Sequence, residues 1–203
     1  SSDALAGSVV GGDSTIIVVQ LTLVSANKIR SLSTLGVTDI TSYLVLSTAF
    51  ADDVDENGIA AVTSVSAMKA SVFIPDGTPP TAAGFTMDLK AGKLILTFTQ
   101  PVDASSANIG QLTLQNDATS PTGAASHTLT SGTKSTGLST EVTLTFAETD
   151  LNKVKERALC TFANKINDCF LSFSSNFIDD ATGLDVAEQP ANDGVKATAF
   201  VDD

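Results

Sequence analysis

The sequence holds no tryptophan, one tyrosine (Tyr43) and one histidine (His127), and aromatics make up 5% of it. Binding sites walled by aromatic platforms are therefore disfavoured. Cations are scarce: 11 Lys and Arg stand against 23 Asp and Glu, giving a net charge of −12 and a pI near 4.2. Phosphate backbones repel such a surface, so nucleic acid is excluded as a partner. Anionic membrane surfaces are disfavoured for the same reason, whereas divalent cations and salt-rich media suit it. No apolar run reaches the ~20 residues that span a bilayer, so no membrane insertion is expected from these residues. The opening SSDALAGSVV has no basic region leading an apolar stretch, so an intact signal peptide is not read there and any signal or anchor is expected elsewhere. There are two cysteines, Cys160 and Cys169, with no His or Cys at zinc-ligand spacing around them.

Catalytic patterns are missing too. No G-x-S-x-G motif occurs, and His127 stands alone in a Ser/Thr-rich stretch. A catalytic base needs a positioned nucleophile and an orienting partner, so His127 reads as an exposed strand or loop residue. Paired carboxylates fall in turns that already explain them, which argues against glycoside hydrolysis. The expectation is a protein that is not an enzyme.

What is present is a repeat. Serine and threonine form about a quarter of the chain; Thr with Val and Ile favours strands, and Ser, Gly, Asn and Asp favour the turns between them. Asn27-Lys28-Ile29 matches Asn152-Lys153-Val154, Tyr43–Leu46 matches Phe170–Phe173, Phe50–Asp53 matches Phe177–Asp180, and Lys69–Phe73 matches Lys196–Phe200. The offset stays between 125 and 127 residues. That period exceeds solenoid units of ~20–45 residues and suits a whole sandwich domain of ~100 residues. Residues 77–203 read as a complete module. Residues 1–76 read as the C-terminal part of another whose front strands, about three, are missing. Those strands belong either to further sequence of a longer natural protein or to another chain, because half a sandwich leaves open edges that drive pairing.

Within the complete unit, alternation predicts strands at Phe85–Leu89, Leu94–Phe98, Leu112–Leu114, His127–Leu129, Val142–Phe146, Phe170–Phe173 and Val195–Val201. Pro101 to Ser106 is expected to break the second of these. Thr149 to Arg157 changes period and reads as a short helix, with Thr149 as its cap, Asp150 suited to its positive N-terminal end, and Leu151, Val154 and Ala158 on one face. The fold class is all-β, with one short helical crossover per module.

The runs KLILTFTQPVDASSANIGQLTLQND, VTLTFAETDLNKVKE, FLSFSSNFIDDATGLDV and KATAFVDD resemble tandem immunoglobulin-like repeats of large extracellular proteins of algae and other protists. They are also similar to modules of bacterial surface-layer proteins that carry an LTFSEPVD strand. The resemblance covers residues 77–203 fully and 1–76 as a partial copy. It implies Ig-like Greek-key β-sandwiches in tandem, joined by a linker for which Asp76-Gly77-Thr78-Pro79-Pro80 stands. It further implies a structural module of a long extracellular or cell-surface protein (stalk, coat, flagellar hair or filament). Such a module acts by packing against neighbouring modules of its own chain and against other copies. The alternative is a calcium-dependent adhesin or carbohydrate-binding module.

Three features stay open at this level. Asp53, Asp55 and Asn57, followed by Gly58, match the opening of a calcium loop, where oxygen ligands alternate and a Gly makes the sharp turn. The loop's twelfth position, however, is Ser64 rather than Glu, and the same residues also suit a solvated hairpin turn. Inter-module calcium held with Asp76, Asp202 and Asp203 is the metal version, and no cofactor is required otherwise. Cys160 and Cys169 are expected to close a disulfide in an oxidising compartment; they have no counterparts in the first copy, so the bond is not implied by the resemblance. Thr119 to Thr140, with Pro121, is either a stretch carrying O-linked glycans or a bare polar loop.

Overall fold

The computed structural model describes residues 6–10, 15–119, 126–160 and 165–201. The first 76 residues contain β1 (Gly7–Val10), β2 (Val18–Leu21), α1 (Leu23–Arg30), β3 (Tyr43–Leu44) and β4 (Met68–Lys69). The remainder contains β5 (Ala82–Asp88), β6 (Lys93–Asp103), β7 (Leu112–Gln115), β8 (Ser126–Thr128), β9 (Gly132–Lys134), β10 (Leu138–Phe146), α2 (Glu148–Glu156), β11 (Phe170–Phe173) and β12 (Val195–Val201). The chain is mostly β, as its Thr- and Val-rich alternation predicts.

Strands β5 to β12 form one curled eight-stranded sheet in the order β8-β7-β11-β12-β5-β6-β10-β9. The bend lies in β12. Its first residues, Val195 and Lys196, pair antiparallel with β11, and from Ala197 onward it pairs parallel with β5. A strand that changes partner midway lets the two halves of the sheet share one core. Phe85 and Met87 (β5), Leu94, Leu96 and Phe98 (β6), and Val142 and Leu144 (β10) alternate inward. They join Leu112, Leu114, Leu171 and Phe173 from β7 and β11 in a single apolar cluster. Burial on that scale supplies the main favourable term in folding.

The structure corrects four readings. Pro101 does not end a strand, because β6 runs on to Asp103. The register against β10 jumps from Thr97↔Glu141 to Val102↔Ser139, so Pro101 sits in a bulge where no N–H is needed. The helix is capped by Ala147 rather than Thr149, with no side-chain cap bond. Ala158 lies past the helix at φ 52° and is exposed, and Leu159 takes the buried place. His127 is not exposed: its side chain is 11% accessible and bonded to Asp150.

The repeat is visible as geometry. The ladder Gly7↔Leu21, Ser8↔Gln20, Val9↔Val19 recurs as Gly132↔Phe146, Thr133↔Thr145, Lys134↔Leu144. The pairs Tyr43↔Lys69 and Leu44↔Met68 recur as Phe170↔Lys196 and Leu171↔Val195. The bridge Leu46↔Val62 recurs as Phe173↔Gln189, and Asp52↔Gly58 as Asp179↔Asp185. Among the described residues, no helix is long and apolar enough to cross a membrane.

Candidate functional site

Among the described residues, polar anchoring meets exposed surface at the junction around residues 76–80.

The junction is clamped from both sides. Arg30, at the end of α1, donates from Nε to Asp76 Oδ2 at 2.7 Å, and the Thr78 amide donates to Asp76 Oδ1 at 3.0 Å. Gln100 Nε2 donates to the Thr78 carbonyl at 2.9 Å, and the Ala187 amide donates to the Pro80 carbonyl at 2.8 Å. Asn27 Nδ2 reaches the Thr99 carbonyl at 3.2 Å, joining the first copy's helix to β6. Burial pushes the Asp76 carboxyl up, but the Thr78 amide and the Arg30 guanidinium outweigh it and hold its pKa below the ordinary value. A shallow cleft beside this clamp is lined by Ile29, Leu32, Phe73, Pro75, Gln100 and Asp180. The sequence marks Asp76, Gly77, Thr78, Pro79 and Pro80 by their Pro-Pro punctuation. Arg30, Asn27 and Gln100 are not marked, because nothing local singles out a side chain that reaches across the junction.

The Asp53 turn is built around its own carboxylate. Asp53 Oδ1 accepts the amides of Asp55 and Asn57 at 2.9 and 2.8 Å and the Asn57 side chain at 3.2 Å. These bonds hold the Asp53 pKa below its usual value, the Asn57 amide contributing most. Asp180, its counterpart, takes the amides of Thr182 and Leu184 at 2.7 and 2.9 Å in the same way. Both turns need a left-handed residue at the same place, Glu56 at φ 62° and Gly183 at φ 82°. The carboxylate oxygen that faces the loop is thus spent on backbone amides in both copies. Among the described residues, no three His, Cys, Asp or Glu side chains gather as a metal set; Asp202 and Asp203 lie outside the described residues.

Cys160 and Cys169 are bonded to each other and fully buried. The bond ties the exit of α2 to the start of β11, next to the left-handed Ala158 and Cys160. A loop this short is worth about 2–3 kcal/mol. The Cys160→Ser/Cys169→Ser variant is expected to lose that amount in urea denaturation; a midpoint unchanged by reductant would show the bond to be idle. Of the Thr119 to Thr140 stretch, residues 120–125 lie outside the described residues. The rest includes β8 and β9 and is not simply a polar loop.

His127 and Asp150 form a polar node that the sequence reading missed. Asp150 is buried and accepts His127 Nε2 at 2.9 Å, the Thr130 amide at 2.8 Å and the Ser131 amide at 3.0 Å. In the first copy Ser25 stands in this place and accepts the Ala6 amide at 2.8 Å. Gln115 is a further buried polar anchor. It donates to the carbonyls of Asp117 and Ala191, each at 2.7 Å, and accepts Ser172 Oγ at 2.9 Å. Among the described residues, no buried side-chain nitrogen or oxygen lacks a partner. A polar group satisfied by scaffold backbone holds structure in place, and these arrangements serve that end. No family model, curated protein or solved structure matches the chain.

Proposed function

We propose that residues 77–203 are an immunoglobulin-like Greek-key module, and that the chain is a non-enzymatic, structural piece of a tandem array in a long extracellular surface protein. The observation that carries this reading is the recurrence of one set of ladders, bridges and Asx turns at a 125–127-residue offset. The Greek-key reading draws on the strand order. The chain-adjacent strands β6 and β7 are not neighbours in the sheet but stand apart with β11, β12 and β5 between them, as a Greek-key connection requires. The disulfide is compatible with an oxidising, extracellular setting. Partners on this reading are neighbouring modules and other copies, with O-linked glycans on the Ser/Thr-rich stretch.

An array protein works through the stiffness of its joints, and the joint here is held by Arg30, Asp76, Thr78 and Gln100. The test is a chain in which residues 77–203 are repeated after Asp203, the position that matches Asp76. Electron micrographs are expected to show evenly spaced beads on a straight rod. Arg30→Ala is expected to spread the bend angles at its junction while leaving the melting of the core unchanged, since a partly exposed ion pair contributes no more than about 1 kcal/mol. Beads at random angles in the unsubstituted chain would refute the array reading.

A further inference from the structure

The same sequence positions are buried in one copy and open in the other. In the second copy Val142, Leu144, Phe146, Leu171 and Phe177 are at most 8% exposed. Their counterparts in the first, Ile17, Val19, Leu21, Leu44 and Phe50, are between 36% and 51% exposed. Backbone pairing is the same around both sets: β1 lies on β2 as β9 lies on β10, and β3 on β4 as β11 on β12. The difference lies in what covers them. In the second copy the lid is β5, β6 and β7, whose Phe85, Leu96 and Leu114 fill the same apolar cluster. In the first copy no described residue stands in those places, and the edge strand β2 has its free side where β6 pairs with β10.

Resting on the repeat reading above, we infer that this face is a docking surface, and that its occupant is a segment with the strand pattern of Ala82–Thr128, supplied by the same polypeptide ahead of the first copy. Two features specify the occupant. Apolar side chains left exposed at positions that are core in the other copy mark an interaction site, and the second copy displays what fits it: alternating Leu and Phe on strands that extend the sheet by β-addition. The covalent source follows from connectivity. Only three residues separate β8 from β9 in the second copy, so a front half joined in the same way docks at high effective concentration, and a separate chain does not share that advantage.

The experiment grafts residues 77–125 directly before Ser1, which keeps the register because Ser1 matches Ser126. Hydrogen exchange at Val18–Leu21 and Tyr43–Leu44 is expected to slow by ~100-fold or more, as closure of a cooperative unit demands. Binding of a hydrophobic dye is expected to fall. Unchanged exchange and dye binding in the graft would overturn the inference. Independently of the graft, Val19→Ser/Leu44→Ser/Phe50→Ser in the 203-residue chain is expected to lower dye binding and to shift the main melting transition by only a few degrees. A collapse of that transition, or protection of these amides in a dimer of the ungrafted chain, would show the face to be covered already and would equally overturn it. Straight rods from the module-repeat chain alongside a failed graft would remove only the docking inference; random rods with a successful graft would remove only the array reading.

Discussion

Asp150→Ala is expected to destabilise the chain by roughly 2–3 kcal/mol, since it removes a buried carboxylate that accepts several hydrogen bonds at once. Asp150 sits at the start of α2 and takes two consecutive backbone amides, Thr130 and Ser131, together with the Thr130 hydroxyl and His127. It therefore fastens the β8–β9 connection to the helix. Alanine leaves His127, 11% accessible, without its partner, while Thr130 and Ser131 lie at the surface, where water takes over part of the loss. Asp150→Ser, which copies Ser25 of the first repeat, is expected to recover part of the loss, because a hydroxyl serves the corresponding amide there. Urea denaturation measures both, and a loss below about 1 kcal/mol for the alanine variant would show that water satisfies the site.

The same residue gives the fold a pH dependence. Burial pushes the Asp150 carboxyl up, but the amides of Thr130 and Ser131 and the His127 ring outweigh it, and its pKa lies below the ordinary value. A carboxyl depressed in the folded state contributes stability that is complete above its unfolded pKa, near about 4, and is lost as pH falls through the lower folded value. Asp179 runs the other way. Burial, then the neighbouring carboxylates Asp185, Asp180 and Asp103, raise its pKa. Its contribution therefore declines as pH climbs from the unfolded value through the raised folded one. Asp150→Asn is expected to flatten the acid limb of the stability profile, and Asp179→Asn the limb just above it.

How much of this was legible depended on whether the deciding contacts were local. Phe170–Phe173 and Val195–Val201 have the bounds their alternation announces, since each is an apolar-periodic run ended by turn residues. The strand β9, Gly-Thr-Lys, carries no apolar signal and exists because β10 offers it an edge. Pro101 reads as a breaker in any local window; only the bulge opposite Ser139–Glu141 makes it tolerable within β6. Thr149 has the chemistry of a cap, yet the helix starts one residue before it. Pro79-Pro80 stands out in the sequence, whereas the bonds that Arg30 and Gln100 make to Asp76 and Thr78 depend on side chains meeting across the fold. The apolar face shows the limit most clearly. Both copies have the same inward pattern, so periodicity alone does not say which is covered, and only the alignment, which gives residues 1–76 no counterpart of 77–125, marks the open one.

That equivalence leads to the largest contrast expected between two substitutions of one kind. Phe177→Ala is expected to cost about 3–5 kcal/mol, the usual loss for a phenylalanine deleted from a packed interior. Its ring is fully buried and lies 5.1 Å from that of Phe173, so truncation removes both transfer energy and an aromatic contact and leaves a cavity. Phe50→Ala makes the same chemical change at the matching position of the first copy, where the ring is 37% exposed. With water already on one side, little cavity forms, and the cost is expected to stay near 1 kcal/mol. Thermal and urea unfolding of the two variants side by side measure the difference. Equal losses would mean that Phe50 is packed in solution as Phe177 is, and that something already covers the first copy. In the chain grafted with residues 77–125, the Phe50→Ala cost is expected to rise toward that of Phe177→Ala, because a docked front half turns an open site into a core.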